Sequence, residues 1–190
     1  MRSTLVALTL VALAQAQPPS TDPQPQGSQL IVLVRHAEKA PAPPDDVPLS
    51  DAGRQRARAL SEALATTALD AIVTTHYRRT RETAGPVAAA ARLTPVVIRA
   101  GDDAAAHGRQ VAASVRRGGA SVLVVGHSNT VPAIIAALGG PAIGEICEAE
   151  YANLFVLALA AGQDPRLVRA SYGQADPPGA GACRSQPARP

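Results

Sequence analysis

Apolar and polar positions alternate along this chain in blocks of two kinds. Residues 29–34 (QLIVLV) and 121–126 (SVLVVG) are nearly unbroken apolar runs, the pattern of strands covered on both faces. Residues 69–75 (LDAIVTT) and 94–100 (TPVVIRA) are shorter strand candidates. The segments between them follow the helical period. In 49–65 (LSDAGRQRARALSEALA), Ala57, Leu60 and Leu64 recur at that spacing, Ser50 is placed as an N-cap and Asp51 suits the positive helix end. Residues 78–93 are Ala-rich and helical, with Pro86 expected to break or kink them. Residues 102–117 open with two acids, close with two arginines and stop at Gly118-Gly119. Residues 131–138 place Pro132 in a first turn and Gly139-Gly140 after the end. Residues 153–160 and 166–173 read as a hairpin joined by AGQDP. This order predicts an α/β domain over 29–172: a three-layer sandwich whose mostly parallel central sheet carries helices on both faces.

The two ends have a different character. Arg2, the apolar run 5–14 and the small-x-small triplet Ala14-Gln15-Ala16 predict a signal peptide over 1–16. The run is too short to span a bilayer, and no Cys follows the cleavage point to carry a lipid. The expectation is export, periplasmic or secreted, after cleavage near Ala16. Residues 17–28 form a Pro/Gln-rich linker and 173–190 a Pro/Gly-rich tail. In an oxidising compartment the two cysteines, Cys147 and Cys183, would form one bridge that pins the tail to the domain. Two free thiols are the alternative. With two cysteines and no CxxC, a structural zinc site is not expected.

Composition narrows the function. Hydrophobic residues make up 46% of the chain, yet it has three Tyr, one Phe and no Trp, so the core must be aliphatic. So few rings cannot build a stacking platform for single-stranded nucleic acid. The net charge of +3 comes from scattered arginines, with no groove tracking a phosphate backbone. No carboxylate cluster is spaced for a metal, no cofactor is implied, and nothing indicates the oligomeric state.

Chemistry concentrates where strands end. In α/β sheets ligands sit beyond the carboxyl ends of the strands. Arg35-His36 follows the first strand, THYRRTR (75–81) the second, and GHSNT (126–130) the fourth. Two histidines and several arginines thus converge on one rim. A phosphoryl group fits such a site, since guanidinium forks match its oxygens. Neighbouring cations should lower a histidine's pKa, and a neutral imidazole is a competent nucleophile toward phosphorus.

These residues also carry a resemblance. VRHAEK (34–39), LSDAGRQRA (49–57), RRTRETAGPVA (78–88) and VVGHSNTVPAII (124–135) resemble, in order, the signature segments of the histidine phosphatase superfamily, the phosphoglycerate mutase-like clan. The resemblance implies a phosphatase acting on a small phosphorylated substrate. His36 would be the phosphorylated nucleophile, Arg35 and Arg79 would bind the phosphoryl group, and His127 would donate a hydrogen bond to it. Ser128 and Asn129 would add substrate contacts, and His76 either lines the pocket or sits on a surface loop. Thr80 departs from the family's usual Ala. The leaving group's proton donor stays open among Asp102, Asp103, Glu38, water and His127, with the two aspartates equally readable as N-terminal helix acids facing the dipole. His107 is expected to be exposed.

Three other readings compete. A phosphoglycerate mutase-like phosphotransferase would share the phosphohistidine but needs a substrate-covering insertion that the interval from Arg79 to His127 hardly accommodates. A non-catalytic phosphate-binding module would need no nucleophile. A serine hydrolase using Ser128 in a G-x-S-x-G-like turn lacks the second glycine and has no histidine after His127.

Overall fold

The two strongest apolar runs lie side by side at the centre of a six-stranded sheet. The structure is a computed structural model, and it describes residues 27–41 and 46–185. The proposed signal peptide and nearly all of the linker lie outside the described residues. The strands are β1 (Gln29–Arg35), β2 (Ala71–Thr75), β3 (Val96–Ile98), β4 (Ser121–Gly126), β5 (Asn153–Leu159) and β6 (Arg166–Ser171). The helices are α1 (Asp51–Ala63), α2 (Arg78–Ala91), α3 (Ala104–Arg117) and α4 (Thr130–Ala137), with a short 3-10 turn at Ala182–Ser185.

The sheet order is β3-β2-β4-β1-β5-β6. The pairs β3/β2, β2/β4 and β4/β1 are parallel; β1/β5 and β5/β6 are antiparallel. The sheet is thus mostly parallel with an antiparallel hairpin added to one side.

Alternation along the central strands decides which layer each residue joins. Ile31 and Leu33 of β1 and Val122 and Val124 of β4 point to one face, where Val111, Ala112 and Val115 of α3 and Val131, Ile134 and Ile135 of α4 cover them. Val32 and Val34, with Leu123 and Val125, point to the other face and meet Leu60 of α1 and Ala84 and Val87 of α2. Both faces of β1 and β4 are therefore buried, which is why these strands read as continuous rather than alternating apolar runs. Among the described residues no helix is long and apolar enough to cross a membrane.

Most helix ends follow their sequence signals. The Ser50 hydroxyl accepts from the Gly53 amide at 3.1 Å, and Asp103 caps α3 by accepting from the Ala105 and Ala106 amides. Arg116 and Arg117 occupy the last turn of α3, where cations suit the dipole. Two expectations need correction. Pro86 does not end α2, which runs unbroken to Ala91 because Thr83, Ala84 and Val87 pack it onto the sheet. His107 is 3% exposed, not surface-facing, since it shares the buried stripe of α3 with Gly108, Val111 and Val115.

Candidate active site

The carboxyl ends of β2, β4 and β1 are neighbours in the sheet, and each delivers part of one cleft. Arg35 pairs in register with Gly126, and the His36 amide donates to the Gly126 carbonyl at 2.9 Å, extending the ladder by one residue. This bond sets the two loops bearing His36 and His127 next to each other. A cleft of about 310 Å³ opens there, lined by His36, Lys39, Tyr77, Arg79, Asp102, His127, Ser128, Asn129, Glu145 and Glu148 among others.

His36 is 4% exposed and its Nδ1 lies 2.8 Å from the Ala37 carbonyl oxygen. A carbonyl only accepts, so Nδ1 carries the proton and the lone pair belongs to Nε2. Burial first, and then the Arg35, His127 and Arg79 charges, lower the His36 pKa to about 2, with the Ala37 hydrogen bond opposing. The ring is therefore neutral at physiological pH. The Ala37 amide donates to the Thr83 hydroxyl at 2.9 Å, and that hydroxyl donates to the Arg79 carbonyl at 2.7 Å. Helix α2 thus fixes the loop after His36 and the backbone of Arg79 through one side chain.

His127 faces His36 with ring centroids 5.4 Å apart, edge to face. Its amide donates to the Thr130 hydroxyl at 2.8 Å, a tight turn in which a Cβ on Gly126 would come within 2.9 Å of that same hydroxyl. Burial, and then Arg79, lower the His127 pKa to about 3. The Arg79 guanidinium stacks on Tyr77, 4.1 Å from the ring centroid, and its Nη2 lies 3.4 Å from His127 Nδ1. Burial also lowers the Arg79 pKa, yet it remains a cation.

Arg35 has a more enclosed setting. It is 1% exposed and does not line the cleft; its Nη1 donates to the carbonyls of Cys147, Glu148 and Glu150 at 2.8, 2.9 and 3.2 Å. Its Nη2 donates to the Glu148 carboxylate at 2.9 Å, and Nε has no partner among the described residues. The far wall of the cleft is therefore the irregular segment between α4 and β5, folded over the arginine that ends β1. A disulfide joins Cys147 to Cys183, Cα atoms 5.7 Å apart, and ties that wall to the tail.

The remaining sequence candidates separate by position. Glu38 points away from the cleft: Arg56 grips it with Nε 2.9 and 3.0 Å from the two carboxylate oxygens and Nη2 at 2.8 Å. Asp103 is engaged as the α3 cap, while Asp102 lies on the cleft wall. Ser128 and Asn129 line the cleft. His76 does not; its Nδ1 accepts from the Ala100 amide at 3.3 Å and its ring stacks on Tyr77. Lys39, Glu145, Glu148 and Tyr77 also line the site and were not singled out in the sequence. Glu145 and Glu148 lie in a stretch without periodic pattern, so no local signal marks them. Among the described residues no group of three or more His, Cys, Asp or Glu is arranged to hold a metal.

The sequence model of the histidine phosphatase superfamily (branch 1) matches residues 31–101. That stretch contains Arg35, His36 and Arg79, and the sheet brings His127 to them. Over that stretch the chain is similar to the histidine phosphatase superfamily. Solved phosphatase structures share the fold. Mycobacterial glucosyl-3-phosphoglycerate phosphatase aligns over 74% of this chain and 97% of its own, at 21% identity and a TM-score of 0.59. The protein histidine phosphatase SixA, solved with tungstate, aligns over 75% and 97% at 18% identity and a TM-score of 0.55. An Entamoeba histolytica phosphoserine phosphatase aligns over 77% and 98% at 13% identity and a TM-score of 0.57. At these identities the likeness concerns the fold. A comparison with curated proteins finds no match.

Proposed function

We propose that this chain is a member of the histidine phosphatase superfamily and a phosphomonoesterase that works through a phosphohistidine at His36, without a metal, on a small phosphate ester outside the cytoplasm. The observation that carries the reading is the pair of facing imidazoles beside Arg79 in one cleft, with His36 Nδ1 pinned and Nε2 left as the lone pair.

In this mechanism His36 Nε2 attacks phosphorus and the ester P–O bond breaks, its electron pair leaving on the alcohol oxygen, which takes up a proton. Water then attacks the phosphohistidine, the P–N bond breaks, and phosphate leaves with His36 restored. Arg79, His127 and Arg35 Nη2 stabilise the charge on the phosphoryl oxygens. Arg35 can do so once Glu148 yields its Nη2. Of the sequence candidates for proton donor, Asp102 is the carboxylate on the cleft wall, since Asp103 caps a helix and Glu38 is held by Arg56. Ser128 and Asn129 form part of the leaving-group side. The disulfide supports an oxidising, extracytoplasmic compartment.

The test is a substrate panel on the purified protein with and without chelator and vanadate. The expected result is activity that survives chelation, stops with vanadate and falls at least about 10³-fold in His36→Ala. Loss on chelation with recovery on a divalent ion would refute the metal-independent mechanism.

A further inference from the structure

His127 is held on its buried side by a chain of threonine hydroxyls. Its Nε2 lies 3.0 Å from the Thr75 hydroxyl, which lies 2.9 Å from the Thr80 hydroxyl. The Thr80 hydroxyl in turn lies 2.8 Å from the Tyr77 carbonyl and 3.1 Å from that of Thr75. Both threonines are buried, Thr80 completely, so water does not compete.

Counting protons gives this chain a single direction. The carbonyls can only accept, so the Thr80 proton is spent on one of them, most favourably on Tyr77. Thr80 must then accept from Thr75, whose proton is thereby committed. Thr75 must accept from His127, which places the imidazole proton on Nε2. The opposite end agrees: Arg79 Nη2 can only donate, so His127 Nδ1 receives it as the lone-pair nitrogen. The reverse assignment would put two donors face to face at Nδ1 and leave the Thr80 oxygen against two carbonyl oxygens without a hydrogen.

We propose that Thr80, acting through Thr75, is a positioning residue that fixes the tautomer and ring orientation of His127, so that Nδ1 faces Arg79 and the phosphoryl group. The chain also fits the charged state. When a phosphoryl group draws a proton onto Nδ1, Nε2–H keeps its acceptor in Thr75, so the imidazolium forms without reorienting any buried hydroxyl. Thr80 is the position where this chain departs from the family's Ala, and the hydroxyl lengthens the relay by one link. The inference rests on the phosphatase reading for its kinetic consequence, but the hydrogen-bond chain can be examined without turnover.

The experiment uses the mature protein and Thr80→Ala and Thr80→Ser variants, with ¹⁵N-labelled histidine spectra and kinetics on one aryl phosphate. Wild type and Thr80→Ser should show His127 protonated at Nε2. Thr80→Ala should show tautomer exchange at His127, and a kcat lowered about 3- to 10-fold, with KM changed less than about 2-fold, in keeping with loss of one hydrogen bond in the relay behind a catalytic group. Thr80→Ser should restore both readings. Unchanged tautomer in Thr80→Ala, or a kcat loss that Thr80→Ser does not recover, overturns the proposal. A wild-type protein without phosphatase activity would overturn the reaction assigned above, while the spectra would still decide the relay.

Discussion

Two buried arginines, Arg35 and Arg56, do the same structural job at opposite sides of β1, with different completeness. Each sends Nη1 to carbonyls of the C-terminal part of the chain, Arg35 to Cys147, Glu148 and Glu150, Arg56 to Tyr172 and Gln174. Each also holds a carboxylate. Arg56 grips Glu38 through Nε and Nη2, and that pair is closed off from the cleft. Arg35 holds Glu148 through Nη2 alone, its Nε has no partner among the described residues, and the Glu148 side chain is 72% exposed in the cleft. A saturated arginine holds the fold together. One left partly unsatisfied, on an exchangeable partner, can still take a ligand.

The sharpest way to break this comparison is Arg56→Ala. It strands Glu38 and two carbonyls, and stability should drop by about 3 kcal/mol, at the lower end for a buried pair because Glu38 keeps some solvent. Thermal unfolding measures this, and the folded fraction should keep kcat within about an order of magnitude. A small shift in melting temperature would remove the structural role given to Arg56.

Cys183→Ser attacks the other clamp. The bridge closes a separation of 36 residues, so its loss should cost about 4 kcal/mol. It also frees the wall that supplies Arg35's carbonyl acceptors. KM for phosphate esters should therefore rise more than kcat falls, and equal loss in both would mean that the wall positions the transition state instead.

Acid should reveal the buried imidazoles. Their folded pKa values, about 2 for His36 and about 3 for His127, lie below the unfolded value near 6.5. Below pH 6.5 the unfolded chain binds protons that the folded chain refuses. Stability then falls by about 1.4 kcal/mol per histidine for each pH unit, until the folded pKa is reached. Melting between pH 7 and 5, with and without His36→Gln and His127→Gln, measures that slope; each substitution should reduce it, and an unchanged slope would place the acid sensitivity in other groups.

The smallest effect belongs to Glu148→Gln. Removing an exposed carboxylate from Arg35 should tighten binding of inorganic phosphate by up to about 5-fold, within the range of an exposed ion pair. Calorimetric titration would show weaker binding if Glu148 instead helps hold the ligand.

The chain order of apolar runs was enough to determine the α/β class, its layers and the strand ends that bring Arg35, His36 and His127 to the rim, with Arg79 in the helix after the second strand, because period and burial are local properties of sequence. The Ser50 cap was equally legible, since a cap needs only its own turn, whereas Asp103 was read only as one of two acids opening its helix. The irregular wall was not. Glu145 and Glu148 have no period, and the partners of Glu38 and Arg35 lie far along the chain: Arg56 is 18 residues from Glu38, and Cys147 is 112 from Arg35. Pro86 and His107 were misjudged because tertiary packing overrode a local preference.

The pattern of residues along this chain thus set which groups arrive at the rim. Tertiary structure alone decided which of them remained available there. A carboxylate or guanidinium spends its hydrogen bonds on whatever partner folding brings within 3 Å, and sequence separation places no limit on that partner.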